Sequence, residues 1–323
     1  MTLLARAWAA GAGPGAEPFT IDLDSTICET YGLAKEGARH HGYTHVRGYH
    51  PLLAVAAGTG DVLMARLREG RANTTRGAAH FLRETIGRVR GAGAAGELTG
   101  RADSGFYAAE VVAVCRRMDV RFSITLRMHG RLRERIAAIP EDAWAPIPYW
   151  LDGGADVAEI SYVPFADRKD SNPVRLIVRR VRPTPGSQLA LFTLYDYHPF
   201  ITDRVGGMLA LEADHRRHAE IENAIRDLKY GMGLNHLPSG RFAANGAWLA
   251  VQVIAHNLAR WTARLGLGAG IVTAKTLRRR LFGLPGRLTR SARRLTLHLP
   301  VDWAWAAEFA AALARLRALP LLA

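Results

Sequence analysis

The chain has 323 residues, 49% of them hydrophobic, with 43 Lys and Arg against 29 Asp and Glu, a formal net charge of +14. That length supports one large domain or two modest ones with proper cores; Cys28 and Cys115 are too few for a disulfide framework or a zinc site, and no stretch reaches the roughly 18 apolar residues of a membrane helix. The charge is uneven: positions 241–323 hold 13 basic and 2 acidic residues, +11 of the +14, an excess that fits a polyanionic partner, most simply nucleic acid.

The N-terminus, MTLLARAWAAGAGPGAEP, has a short apolar run broken by Arg6 and no hydrophobic centre. It only weakly mimics a secretory leader, and a cytoplasmic protein is expected. PFTIDLD alternates Phe19, Ile21 and Leu23 against Thr20, Asp22 and Asp24, the period of a strand. A polar connection follows, with His40, His41, His45 and His50. Their spacing fits no zinc pattern, and a solvated or DNA-facing loop is expected. YHPLLAVAAG, the turn TGD and VLMARLREG read as a hairpin. NTTRGAAHFLRETIGRVRG reads as a helix capped by Asn73 or Thr74. GELTGRADSGF is a strand running into a turn, YAAEVVAVCRRMD a helix with Cys115 buried, and VRFSITLRM a strand. This order predicts a mixed sheet with helices on its faces.

Between about His129 and Arg204 prolines punctuate AEISYVPF, VRLIVRRVR and LALFTLYDY, which read as short strands of a β-rich insertion. Helices resume with HRRHAEIENAIRDLK, FAANGAWLAVQVIAHNLARWTARLG and DWAWAAEFAAALARLRA, and no internal repeat is present. Trp248, Trp261, Trp303 and Trp305 sit in helical patterns and are expected in the core. In the first of these helices Ile221, Ala224, Ile225 and Leu228 form an apolar stripe, and His215, His218, Glu222 and Lys229 stack beside it.

Three acidic residues stand where a fold could gather them: Asp24 at the end of the first strand, Asp103 at a strand-to-turn junction and Glu222 on the helix. Each has a local alternative, since Asp24 could cap DST, Asp103 could start an Asp-Ser-Gly turn, and Glu222 could pair with Arg226. Taken together they point further. Covered central strands seldom carry carboxylates without a cation partner. Mg²⁺ takes oxygen ligands, and two such ions about 4 Å apart can act on both oxygens of a phosphodiester exchange.

An Asp ending the first strand, an Asp after the fourth and a Glu on a helix beyond an insertion resemble the DDE transposases of bacterial insertion sequences. One branch carries a Tyr-x2-Arg-x3-Glu-x6-Lys signature. Glu222 and Lys229 match its last part, while His215 stands at the Tyr position and His218 at the Arg position. The β-rich insertion and the tail TLRRRLFGLPGRLTRSARRLTLHLP resemble the same branch. The resemblance implies an α/β fold: an RNase H-like mixed sheet flanked by helices, with a β-rich insertion before the glutamate-bearing helix.

The expected divisions are a residual N-terminal segment (1–18), the first part of the catalytic domain (19–128), the insertion (129–204), the glutamate helix and closing helices (205–265), and a basic C-terminal region (266–323). By the same resemblance Asp24, Asp103 and Glu222 bind two Mg²⁺ ions, with Mn²⁺ as a substitute, and Asp22 supports them. Either Asp22 or Asp24 could be the primary ligand, and DST favours Asp24. His215, His218 and Lys229 are expected at DNA phosphates, although a Lys at a helix end also complements the helix dipole. Arg278, Arg279, Arg280, Arg293 and Arg294 read as phosphate contacts that position DNA.

The implied activity is metal-dependent cleavage and strand transfer on double-stranded DNA, at transposon ends and target, with a homodimer or a full-length transposase as protein partner. Only about 18 residues precede the first strand, fewer than such transposases use to recognise terminal repeats, so an N-terminal truncation is expected. The alternatives are an inactive DNA-binding remnant or regulator, and an RNase H-like nuclease that cuts without strand transfer.

Overall fold

The structure is a computed structural model that describes residues 2–150, 152–169, 171–184, 186, 195–300 and 302–320. Helix α1 (Leu3–Ala7), capped by Thr2, continues as a wider turn over Trp8–Ala12. Leu4, Ala5, Ala7 and Trp8 are buried in the main core, with Trp8 edge-on to Phe19 at 5.5 Å, so this segment is part of the fold. Strand β1 (Phe19–Ser25) follows. The short strands β2 (Cys28–Glu29), β3 (Arg39–His40) and β4 (Arg47–Tyr49) form a small sheet of their own. Strands β5 (Leu52–Ala56) and β6 (Val62–Arg66) make the expected hairpin, turning through Gly58 and Gly60, both at positive φ.

Helix α2 (Ala78–Gly91) begins later than the sequence suggests. Asn73 Oδ1 accepts from Thr75 N in a local turn, and Gly77 at φ 74° blocks helical continuity before Ala78. Strand β7 (Leu98–Ala102), helix α3 (Ala109–Arg117) and strand β8 (Arg121–Thr125) complete the first part. Helix α4 (Gly130–Ala137) opens the region expected to be β-rich, ahead of β9 (Ala145–Ile147), β10 (Ala155–Tyr162), β11 (Val174–Val181) and β12 (Asp196–Thr202). Most of LALFTLYDY lies outside the described residues.

The large sheet runs β6-β5-β1-β7-β8-β12-β11-β10-β9. β1 pairs antiparallel with β5 and parallel with β7, and β7 pairs parallel with β8. This is an RNase H-like arrangement. β12 then joins β8 antiparallel, so the strands of the insertion extend the same sheet.

The remaining elements are α5 (Met208–Arg216), a 3₁₀ turn over Arg217–Glu220, α6 (Ile221–Arg226) and a wide turn over Asp227–Gly231, then α7 (Phe242–Trp261), α8 (Ala274–Leu277), the ribbon β13 (Arg287–Ser291) and β14 (Arg294–His298), and α9 (Ala306–Arg317).

Alternation along β1 and β5 sorts side chains to two faces. Ile21, Leu23, Leu52 and Ala54 pack with Phe81, Leu82 and Val112 under α2 and α3. Leu53 and Val55 face the other way and meet Ile221, Ile225, Leu228 and Leu249. Each large apolar side chain buried there contributes about 1.5–3 kcal/mol, which fixes the glutamate helix across the sheet. Trp261 is buried in the main core, whereas Trp248 is 37% exposed.

Candidate active site

Asp24 sits at the carboxyl end of β1, where the strand leaves the sheet. Its Oδ1 accepts from Ser25 N at 2.6 Å. Asp103 follows β7, the parallel neighbour of β1, and caps a short 3₁₀ turn by accepting from Gly105 N at 3.0 Å. Glu222 lies exposed in the first turn of α6. The three carboxylates share one neighbourhood. Burial drives the Asp24 pKa up to about 6, the Ser25 amide opposes it, the charge of Asp103 raises it, His218 lowers it, and Glu222 raises it further.

Asp22, two residues earlier, has a different environment. It is 1% exposed, and Arg101 donates to both of its oxygens, from Nε at 2.6 Å and Nη2 at 2.8 Å. His218 Nδ1 lies 3.0 Å from Oδ1 of the same carboxylate. Asp22 and Arg101 are register partners across β1 and β7, so the strand pairing itself makes this ion pair. With its oxygens taken, Asp22 braces the glutamate helix, and Asp24 is the carboxylate left at the strand end.

The donor chemistry at the cluster fits a hard divalent cation: three carboxylates, with charge crowding that a cation relieves. Among the described residues, however, no three His, Cys, Asp or Glu side chains are gathered closely enough to hold a metal ion. Loading would need the side chains to approach one another, and Glu222 is exposed on the helix surface.

The sequence matches the transposase DDE domain group 1 family over residues 6–321. The chain belongs to this family. Its fold is similar to that of a piggyBac transposase in a synaptic complex with hairpin DNA, at a TM-score of 0.50 and 13% identity, covering 83% of this chain and 52% of that one. The chain thus spans about half the length of that transposase. No functionally curated sequence matches it.

Within this transposase DDE domain the four stacked positions of the glutamate helix do separate work. His215 does not fit the phosphate contact expected of it. Its Nδ1 lies 2.7 Å from Ser123 Oγ and its Nε2 3.0 Å from Thr125 Oγ1, and its ring stacks on Phe200 at 4.0 Å. Burial, then neighbouring cations, push its pKa well down, so the ring is neutral and held by the sheet. His218 has turned one ring nitrogen to Asp22, which makes it a link between helix and β1 before it is a DNA contact. Lys229 Nζ donates to the Ile27 carbonyl at 2.9 Å, tying the helix to the loop that follows Asp24. Among the arginines, Arg278 Nη2 donates to Gly231 O at 2.5 Å and Arg280 lies over Trp305 at 5.7 Å. All five of these arginines, Arg278, Arg279, Arg280, Arg293 and Arg294, are exposed.

Sequence reasoning missed Arg101 and a second network behind Asp24. His50 was expected in a solvated loop, yet it is 4% exposed. Its Nε2 lies 2.9 Å from Ser25 Oγ and its Nδ1 2.8 Å from Ala72 O. Ser25 Oγ also meets Thr74 Oγ1 at 3.3 Å. The arrangement looks like a nucleophile and its base, but burial holds His50 down near a pKa of about 4 and its far nitrogen faces only a carbonyl. It is built to fix the Asp24–Ser25 strand end. The adjacency of Ser25 to Asp24 was the one signal in the sequence.

Proposed function

We propose that this domain is the catalytic part of a transposase that cuts and rejoins DNA at the ends of an insertion sequence. The observation that supports the reading is that Asp24 and Asp103, at the carboxyl ends of adjacent parallel strands, and Glu222, on the helix, lie near enough for the charges of the latter two to act on Asp24. DDE transposase domains generally use divalent metal ions, and Mg²⁺, with Mn²⁺ as a substitute, is the ion proposed. Asp24, Asp103 and Glu222 would hold it. When bound, the metal lowers the cost of generating the attacking oxygen and of charge on the leaving one.

The chain's own residues set the geometry. The Ser25 amide and the His50 network fix the Asp24 carboxylate, and the Asp22–Arg101 pair with His218 fixes the helix that carries Glu222. Lys229 spends one proton on Ile27 O and keeps two for a DNA phosphate. In the first step water adds to phosphorus as the bond to the 3′ oxygen breaks, leaving a 3′-hydroxyl and a 5′-phosphate. In the second, that 3′-hydroxyl loses its proton and bonds to the phosphorus of another phosphodiester while that phosphorus releases its own 3′ oxygen, which leaves protonated as a new 3′-hydroxyl. Bond energy is conserved, and no covalent protein intermediate is required.

The test is nicking and joining of duplex DNA in Mg²⁺ or Mn²⁺. Both activities are expected in the wild type and neither in Asp103→Ala. DNA binding without metal-dependent nicking would replace this reading with that of a DNA-binding remnant or regulator; nicking without joining would replace it with that of a nuclease.

A further inference from the structure

The β13–β14 ribbon was not expected from the sequence, and nine of its ten strand residues are exposed. Its register sorts the side chains cleanly. Arg287 opposes His298, Thr289 opposes Thr296, and Ser291 opposes Arg294, all on one face. Thr289 Oγ1 reaches His298 Nε2 at 2.9 Å across that face. The other face carries Leu288 against Leu297 and Arg290 against Leu295, with the three leucines 59–64% exposed. The connecting pair, Ala292 and Arg293, has φ of 44° and 66°. This tight two-residue turn puts Arg293 at the tip.

We propose that this ribbon enters the major groove of duplex DNA with its Arg287–Arg294–His298 face toward the base edges and supplies sequence preference. The inference rests on the DNA reading above and goes beyond the phosphate contacts given to Arg293 and Arg294. Two strands lie about 4.8 Å apart, and the major groove, about 12 Å wide, admits such a ribbon. The face offers only arginine, imidazole and hydroxyl groups, the side chains that pair with guanine N7 and O6 or with either kind of base edge. Positions 287–298 contain four arginines and no carboxylate. That composition complements a polyanion and repels a second copy of the same face. Arg279 and Arg293 are then left to the phosphates, where they hold the ribbon in place without reading sequence.

The experiment selects bound duplexes from a randomised pool with the full chain in the absence of divalent metal, so that it does not depend on cleavage. The wild type is expected to enrich a motif. Arg287→Ala and Arg294→Ala are each expected to lower preference at one base pair about 5- to 150-fold, a loss larger on the selected site than on random duplex. Arg279→Ala is expected to weaken all sequences alike. Far-ultraviolet circular dichroism of each variant checks that the body is folded. An unselective wild type would overturn the proposal, as would the same motif in both arginine variants. So would loss of self-association in Leu288→Ser with Leu295→Ser if the selected motif is unchanged, which would make the ribbon a contact between copies. Loss of nicking in Asp103→Ala leaves the selected motif in place, so the two readings fail separately.

Discussion

Arg101 holds both oxygens of Asp22 at full burial, whereas Asp24 two residues on keeps its carboxylate at an open strand end. Removing the guanidinium leaves an uncompensated charge in the core, so Arg101→Met is expected to cost roughly 3–5 kcal/mol, read by urea unfolding. Asp103→Ala is expected to lose only the cap of a three-residue turn, about 1 kcal/mol, and, under the proposed function, to abolish nicking. A similar stability loss in both variants would mean that Asp22 and Asp103 are not divided into a carboxylate that holds the fold and one that does not.

A buried imidazole sets a pH limit elsewhere. His256 packs under Asp227 of the glutamate helix, 3.5 Å away, with Arg260 Nε at 2.8 Å and the Gly60 carbonyl at 3.0 Å, and Asp61 on the hairpin acts on Arg260. Burial, then Arg260, lower its pKa to about 4. The unfolded chain takes up this proton near pH 6.5, so the contribution is complete above that pH and falls away as the pH drops toward 4. The loss is on the order of 3 kcal/mol, and His256→Gln should flatten unfolding free energy across this window. Asp24, Asp103 and Glu222 were legible as acids at the ends of recognisable elements. Arg101 was not, because its partner lies 79 positions away and only the β1–β7 register joins them.

The glutamate helix is a chain of short pieces, and its breaks explain where the periodic reading held and where it did not. Ile221, Ala224, Ile225 and Leu228 are buried as their spacing requires. His215, His218 and Lys229 share a stripe in projection, yet a 3₁₀ turn separates His215 from Glu222 and the helix crosses successive strands. Side chains on one stripe therefore meet β8, β1 and the loop after β1 in turn. Periodicity finds the stripe but not the strand beneath each position. The same limit applies to α2, whose start depends on a left-handed Gly77.

The helix ends against α8 at Gly231. A Cβ there would lie 2.6 Å from Asp227 Oδ1 and 2.9 Å from Ala274 Cβ, displacing the carboxylate that accepts from Ala274 N at 3.0 Å. Gly231→Ala is expected to destabilise by about 1–3 kcal/mol and to lower nicking through the helix; unchanged melting and activity would show that this junction is slack.

Nine strands in one sheet tie the two halves of the chain together through β8 and β12, a join between residues about 80 positions apart that no local pattern announces. The charge skew, by contrast, was legible from composition alone, because summed charge needs no geometry. What composition could not separate is which arginines in that region are free to meet DNA. Arg278 is anchored by one bond to the Gly231 carbonyl at the end of the glutamate helix, and Arg280 by the face of Trp305. Arg279 and the tip residue Arg293 are exposed, as Arg278 and Arg280 also are, so those two contacts are what separates the pairs. Each arginine that neutralises a phosphate contributes about 0.9 to the slope of log affinity against log salt. Arg279→Ala with Arg293→Ala should therefore reduce the slope by about 2 on random duplex with unfolding unchanged. Arg278→Ala should instead lower stability, by about 1–3 kcal/mol for the hydrogen bond it strips from a helix end, with a smaller change in slope. Titrations at several salt concentrations, paired with thermal melts, decide it. If Arg278→Ala carried the larger loss of slope, the basic region would be meeting DNA along the glutamate helix and not along its outer edge.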